Sequence, residues 1–204
     1  MRRVYPASTS IPRCPVCGVH QHLCFCADFP TLATRNRIVF LQHPQEARKP
    51  TNSAPLACRI LSEARIEPWN RTALPAWIDG AILLYPSPDA APLDPSDLDG
   101  IRPVVIPDGT WSQASRMASV LKSRPMLRRV LPEGVRTTWT VRQSADPERV
   151  SSAQAAALVL DLAGETEAAT VLSQAVAEAG RRILAMRGMV RSEQHDPHGS
   201  QTEP

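Results

Sequence analysis

One stretch decides the fold class, residues 104–121, which read Val-Val-Ile-Pro-Asp-Gly-Thr-Trp-Ser-Gln-Ala-Ser-Arg-Met-Ala-Ser-Val-Leu. It begins with an apolar run of strand length at 104–106 and continues into a predicted helix at 113–121. Strand-like runs are also predicted at residues 37–41, 81–85 and 137–141. Because these strands are apolar throughout and alternate with helices, they predict an α/β fold. We expect a mostly parallel sheet with helices on both faces.

The remaining elements lie around this core. Apolar spacing predicts a helix at 52–64, and an Ala-rich helix begins at Ser151 and breaks at Gly164. A last helix is predicted at 165–187, so the chain ends in C-terminal helices. Residues 1–12 are expected to form a flexible arm, and the polar residues 191–204 a disordered tail.

Composition favours a globular protein. The 204 residues carry 23 Lys and Arg against 20 Asp and Glu, a net charge of +3, and 43% of them are hydrophobic, enough for a core. No apolar run approaches the roughly 18 residues of a membrane span. The N-terminus lacks the apolar stretch of a signal peptide. We therefore expect a cytoplasmic protein without a membrane partner, and no obligate protein partner is evident.

Four cysteines fall within thirteen residues: Cys14, Cys17, Cys24 and Cys26. In a reducing compartment such clustering indicates a metal site rather than disulfides. Four thiolates close the tetrahedral shell of one zinc ion, and closed shells are structural. We therefore predict a zinc knuckle at residues 13–30. The alternative is a set of buried free thiols.

Polar and aromatic residues follow each predicted strand. In chain order they are His43, Glu46, Lys49, Asn52, Pro86, Ser87, Asp108, Thr110, Trp111 and Arg142. Open α/β sheets bind ligands at the carboxyl ends of their strands, so these residues are predicted to converge on one crevice. Helix capping is the simpler explanation for Asn52 and Thr110.

Residues 112–149 are strongly basic, with eight Arg or Lys against three acids. An excess of this size predicts a phosphate-binding surface, and together with the knuckle it favours structured RNA as a partner. The chain contains no glycine-rich dinucleotide loop, no phosphate-binding loop and no nucleophile elbow. The common NAD, ATP and hydrolase functions are therefore disfavoured.

The motifs in this order resemble the DTW-domain family, the tRNA-uridine aminocarboxypropyltransferases. Residues 108–111 match its Asp-x-Thr-Trp signature, and the likeness extends over residues 13–187. It includes the four-cysteine knuckle, the stretch from His43 to Asn52 and the Leu-Tyr-Pro-Ser segment at 84–87. The family's Ser-Thr-x-Glu-Ala segment appears here as Ser-Ser-Ala-Gln-Ala at 151–155, with an amide at Gln154 in place of the carboxylate.

The resemblance implies that residues 31–190 form a DTW catalytic domain with a SPOUT-like fold and a C-terminal, knot-like ligand pocket. It implies transfer of the 3-amino-3-carboxypropyl group of S-adenosylmethionine to N3 of a tRNA uridine, with release of methylthioadenosine and a structural zinc. Asp108 is the candidate base, in a catalytic set with Thr110 and Trp111. The candidate donor-binding residues are His43, Glu46, Lys49, Asn52, Pro86, Ser87, Arg142, Ser152 and Gln154.

Within that donor-binding set, Lys49 or Arg142 would hold the methionine carboxylate, and Ser152 and Gln154 the amino group. Pro86 and Ser87 would line the adenosine. Two other functions stay open at this point. One is a SPOUT-like RNA methyltransferase, which would transfer a different carbon of the same donor. The other is a zinc-knuckle RNA-binding protein without catalysis.

Overall fold

The computed structural model describes residues 11–139, 141 and 148–188. It contains a six-stranded sheet in the order β2-β1-β5-β3-β6-β4. The strands are β1 (Ile38–Gln42), β2 (Ala64–Pro68), β3 (Ile82–Leu84), β4 (Ala91–Pro92), β5 (Val104–Asp108) and β6 (Leu127–Val130). Every strand pair among the described residues is parallel, which confirms the predicted sheet type.

Four α-helices cover the sheet: α1 (Ala54–Ile60), α2 (Trp111–Leu121), α3 (Ser152–Leu162) and α4 (Thr166–Met186). Side chains alternate along β1, so that Ile38 and Phe40 pack with α1, α3 and α4, whereas Val39 and Leu41 pack with α2. All four of these side chains are fully buried. The predicted arrangement, a sheet with helices on both faces, is therefore confirmed.

Two parts of the sequence-based assignment are wrong. The described part of the predicted fourth strand, residues 137–139 and 141, lies in no strand, and β6 occupies that place in the sheet. Its β-branched residues are held instead by a side chain of α3, as described below. The helix predicted at 52–64 ends at Ile60, and the chain then forms β2. An edge strand such as β2 is half exposed and carries Arg and Glu, so it lacks the apolar run that marks the buried strands.

No helix in the described part of the chain is long and apolar enough to cross a membrane.

Candidate functional site

The sheet positions one large cavity. It has a volume of about 830 Å³ and lies at the carboxyl ends of β1, β3 and β5, where α2 and α3 begin. Seven predicted site residues line it: Glu46, Lys49, Pro86, Asp108, Thr110, Trp111 and Ser152. The loops that follow separate strands do meet here, as a parallel sheet requires.

Asp108 is the best-positioned carboxylate of the cavity. It ends β5, is 3% exposed, and lies in register with Gln42 at the end of β1. Its Oδ2 accepts a hydrogen bond from Gln42 Nε2 at 3.0 Å, and its Oδ1 accepts one from Ser152 Oγ at 2.6 Å. Two donated hydrogen bonds fix the orientation of this buried carboxylate.

The sequence analysis missed Gln42. It is 7% exposed and directly follows the apolar run of β1, a position equivalent to that of Asp108 in the neighbouring strand. Ser152 is the first residue of α3. Two serine hydroxyls fix that helix start. Ser151 Oγ accepts from the Gln154 backbone amide, and Ser53 Oγ accepts from the Ala153 backbone amide at 3.2 Å.

Two aromatic side chains, Tyr85 and Trp111, form another part of the cavity lining. Trp111 begins α2, its ring lies 6.0 Å from that of Tyr85, and the Arg149 guanidinium lies 5.2 Å from the Trp111 ring. Thr110, which also lines the cavity, caps α2 in a reciprocal capping box with Gln113. Flat rings of this kind offer a stacking surface for a nucleoside.

An ion pair between a buried carboxylate and a half-buried ammonium also lines the cavity. Glu46 is 1% exposed, and its Oε2 accepts a hydrogen bond from Lys49 Nζ at 2.9 Å. The pair places one negative and one positive group side by side at the cavity. Asn52, which follows in the same loop, accepts from the Ala54 amide and donates to the Glu46 carbonyl. It therefore satisfies the first amide of α1, whose N-cap is Ser53, and it does not line the cavity.

Three more predicted donor-binding residues lie outside the lining. The His43 backbone amide donates to the Asp108 carbonyl at 2.8 Å, and its ring Nδ1 accepts from the Gln45 amide. Ser87 hydrogen-bonds Asp89 and lowers the pKa of that carboxyl. Gln154 holds residues 136–138, accepting from the Thr138 amide and donating to the Arg136 carbonyl. A fourth, Arg142, lies outside the described residues.

The four cysteines form a second site. The Sγ atoms of Cys14 and Cys26 are 3.8 Å apart, those of Cys17 and Cys24 are 3.9 Å apart, and all four lie within 4.8 Å of one another. Ligands about 2.3 Å from one tetrahedral zinc are about 3.8 Å from each other, so the sulfurs fit that ion closely. Burial raises the pKa of the Cys14 thiol, but hydrogen bonds with backbone amides and with neighbouring thiols together outweigh it and lower the pKa to about 7. Burial raises the pKa of the Cys17 and Cys26 thiols.

The cysteine knuckle packs against the rest of the protein. Gly18 has φ +74, and a Cβ there would lie 1.9 Å from the Pro50 carbonyl oxygen, in the loop that carries Lys49. Arg182 of α4 donates to the Leu23 carbonyl and lies 4.9 Å from the Phe25 ring. The knuckle therefore contacts the loop whose Lys49 and Thr51 line the cavity.

The surface of the basic segment at 112–149 carries less net positive charge than a count within the segment indicated. Three of its arginines are paired with carboxylates that lie earlier in the chain: Arg124 with Asp79, Arg128 with Asp89, and Arg129 with Asp97. The segment's count of three acids therefore overstated its positive excess, and the predicted phosphate surface must be smaller than the whole segment.

The fold is an α/β sheet with helices on both faces, a cavity at the carboxyl edge and a cysteine knuckle, an arrangement typical of ligand-binding α/β proteins. The family model described as DTW domain matches residues 11–184. The chain belongs to the DTW domain family, as the sequence motifs indicated.

Two relatives and one solved structure place the chain more closely. It is 30% identical over 118 residues to tRNA-uridine aminocarboxypropyltransferase 2 of Macaca fascicularis, a match covering 50% of this chain and 40% of the relative. It is 31% identical over 132 residues to the Drosophila melanogaster protein of the same name, covering 58% and 51%. The matches thus span about half of these relatives or less.

The solved structure is the SAM-dependent rRNA:acp-transferase Tsr3 of Vulcanisaeta distributa, with a TM-score of 0.57 and 21% identity. The similarity covers 76% of this chain and 80% of that chain. At this identity the likeness concerns the fold, and it agrees with the α/β class expected from the sequence.

Proposed function

We propose that this chain transfers the 3-amino-3-carboxypropyl group of S-adenosylmethionine to N3 of a uridine in tRNA and releases methylthioadenosine. The observation that carries the proposal is Asp108, oriented by Gln42 and Ser152 at the wall of an 830 Å³ cavity that also holds Trp111. The names of both relatives and of the fold neighbour favour the same transferred group.

The Glu46–Lys49 pair suits the amino-acid end of the donor. A methionine moiety carries one ammonium and one carboxylate on the same carbon. Glu46 would bind the ammonium and Lys49 the carboxylate, replacing their mutual contact of 2.9 Å with two contacts to the ligand. Arg142 stays a second candidate for the carboxylate. Pro86, Tyr85 and Trp111 would line flat nucleoside rings.

The reaction makes one bond and breaks one. N3 of the uridine bonds to the donor's chain carbon as the bond from that carbon to sulfur breaks, and the electron pair passes to sulfur, which becomes neutral. Asp108 would accept the N3 proton. Departure of the sulfur group needs no acid, so the enzyme's main contribution is to align the attacking nitrogen, the carbon and the sulfur.

The same argument explains how the protein selects one carbon. Three carbons are bonded to the sulfonium sulfur, and only the one aimed at N3 reacts. Anchoring the methionine end at Glu46 and Lys49 and the nucleoside at the Trp111 ring, which line the same cavity, would fix the chain carbon on the path to the base. A methyltransferase would instead need the methyl group at that place.

The knuckle would hold zinc as a structural ion. Cys14, Cys17, Cys24 and Cys26 would fill its tetrahedral shell, leaving no position for a substrate. Its contribution would be rigidity, because the knuckle contacts the Pro50 loop and α4. A tRNA substrate also makes the cytoplasm the expected location.

The deciding experiment incubates purified, zinc-loaded protein with S-adenosylmethionine and unmodified tRNA, followed by mass spectrometry of the nucleosides. We expect aminocarboxypropyl-uridine and an equal amount of methylthioadenosine. A methylated nucleoside would replace the proposal with a methyltransferase. If the folded protein yields neither product and calorimetry detects no donor binding, a binding module without catalysis is correct. An rRNA fragment in a parallel reaction tests the choice of RNA.

A further inference from the structure

A second pocket lies at the opposite edge of the sheet. It has a volume of about 310 Å³ and is formed where β1, β2, β3 and β5 begin. Arg37 precedes β1, Arg65 lies in β2, and Arg102 precedes β5. The five residues of β1 separate this edge from the cavity at Asp108, a distance of about 16 Å at the usual strand rise. No residue lines both pockets.

The pocket has an excess of positive charge. Its lining contains three arginines and a single carboxylate, Asp79, which Arg124 already engages through two bonds of 2.7 Å. Arg65 meets Glu67 at 3.8 Å, a long contact between half-exposed side chains. The nearby Asp99 accepts from the Ile101 amide. Arg102 is exposed, and no carboxylate of the described residues lies within ion-pair distance of it. Its charge does help to lower the pKa of Asp97, the carboxyl that Arg129 binds.

The pocket also offers a planar stack. The Arg65 guanidinium lies 4.7 Å from the centre of the Trp77 ring, and Trp77 is held in place by its contact with the buried cluster under α2. A guanidinium supported by a ring in this way is a platform on which a nucleobase can stack. Beside it, Ile101 is 73% exposed, an unusual position for an aliphatic side chain of this size.

We propose that this pocket binds RNA away from the reaction centre, with Arg102 and Arg37 contacting a phosphate and an unpaired base stacking on Arg65 over Trp77. Forked guanidinium groups match the geometry of a phosphate, and an aromatic support matches a base. The inference rests on the proposed function, since it assigns a second contact of the same tRNA. The arginines would hold the RNA on the protein without touching the reacting atoms.

The test measures binding of an unmodified tRNA transcript by fluorescence anisotropy over a range of salt concentrations. The variants are Arg102→Ala and the double variant Arg65→Ala/Arg102→Ala. Arg181→Ala is the matched control, because Arg181 is 61% exposed on α4 and pairs only locally with Glu178. We expect the double variant to bind about fivefold to tenfold more weakly. The slope of its log affinity against log salt concentration should be smaller in magnitude by about 1 to 2. Arg181→Ala should bind like the wild type.

Further readouts separate the inference from the proposed function. Donor affinity by calorimetry and turnover at saturating tRNA should not change in the double variant, because the pocket lies far from Asp108. Arg65→Lys keeps the charge and removes the planar group, so it should recover only part of the affinity. If it recovers all of it, the stacking contact is wrong.

Two results overturn the inference, and they differ in what they say of the proposed function. If the wild type modifies tRNA and the double variant shows the same affinity and salt slope as Arg181→Ala, the second contact is wrong and the proposed function stands. If the wild type neither binds nor modifies tRNA, both fail together.

Discussion

Replacing Asp108 with asparagine tests the centre of the proposed mechanism while changing the structure little. The asparagine Oδ1 can accept from Gln42 Nε2 as the carboxylate does, and the new amide can donate to Ser152 Oγ, because a hydroxyl accepts as well as donates. Both contacts can therefore survive. What is lost is the charge and the ability to take a proton.

The size of the effect follows from these contacts. Exchanging two charge-assisted hydrogen bonds for neutral ones costs about 1 to 2 kcal/mol, partly offset because a buried charge is removed. For a chain of this length that lowers the melting temperature by a few degrees at most. Loss of a general base, in contrast, reduces turnover by about 10² to 10⁴. Activity and stability should thus separate clearly.

The assay is the initial rate of aminocarboxypropyl-uridine formation at saturating donor and tRNA, with donor affinity from calorimetry. Asp161→Asn is the matched control, since it makes the same charge change at an exposed position of α3. Turnover of Asp108→Asn within about threefold of wild type would refute the base assignment. A large loss of donor affinity with turnover intact would instead make Asp108 a donor-binding group.

The remaining predictions concern stability. Removing zinc with a chelator should lower the melting temperature by at least about 5 °C, because the knuckle contacts α4 and the Pro50 loop. Adding zinc back should restore the melting temperature. Equal melting curves with and without the chelator would contradict a structural metal. Gly18→Ala should lower the free energy of unfolding in urea by about 2 kcal/mol or more, since the new Cβ would meet the Pro50 carbonyl. Gly134→Ala is the control, because Gly134 has φ +83 with open space around it, and it should show only the smaller cost of placing an alanine at positive φ. The hydrogen bonds from Arg129 lower the pKa of Asp97 in the folded protein. The stability that this pair contributes is therefore complete above the carboxyl's ordinary pKa of 3.8, and it is lost as the pH falls through the lowered pKa of the folded state. Arg129→Met should cost about 1 to 2 kcal/mol at neutral pH and flatten the acid limb of the unfolding curve; an unchanged limb would show that another carboxyl controls it.

The sequence predicted the cavity because a parallel sheet imposes its location. Buried strands appear as short apolar runs, and the first residue after each run is then at the carboxyl edge. Asp108 follows this rule. Gln42 follows it equally well, but as an uncharged side chain at the end of β1 it carries no chemical signal of its own. Only the register between β1 and β5 shows that it orients the carboxylate.

The errors have a common physical origin. β2 contains Arg65 and Glu67 because an edge strand needs only one buried side, so hydropathy does not mark it. The basic segment misled for a related reason: charge counts within a segment ignore carboxylates that the fold brings from elsewhere. Asp79, which pairs with Arg124 across the fold, is one of them. Both features depend on contacts between residues far apart in the chain.

Contacts between distant residues also explain why an amide, Gln154, fits the position where the family motif has a carboxylate. Its amide accepts from the Thr138 nitrogen at 3.0 Å and donates to the Arg136 carbonyl at 2.8 Å. A carboxylate could make only the first contact, because it has no proton to donate to a carbonyl. The amide thus fits the backbone just before Trp139, a buried residue that lines the cavity. Gln154 thus contacts a segment that contributes to the cavity wall, and its two hydrogen bonds need an amide at this position.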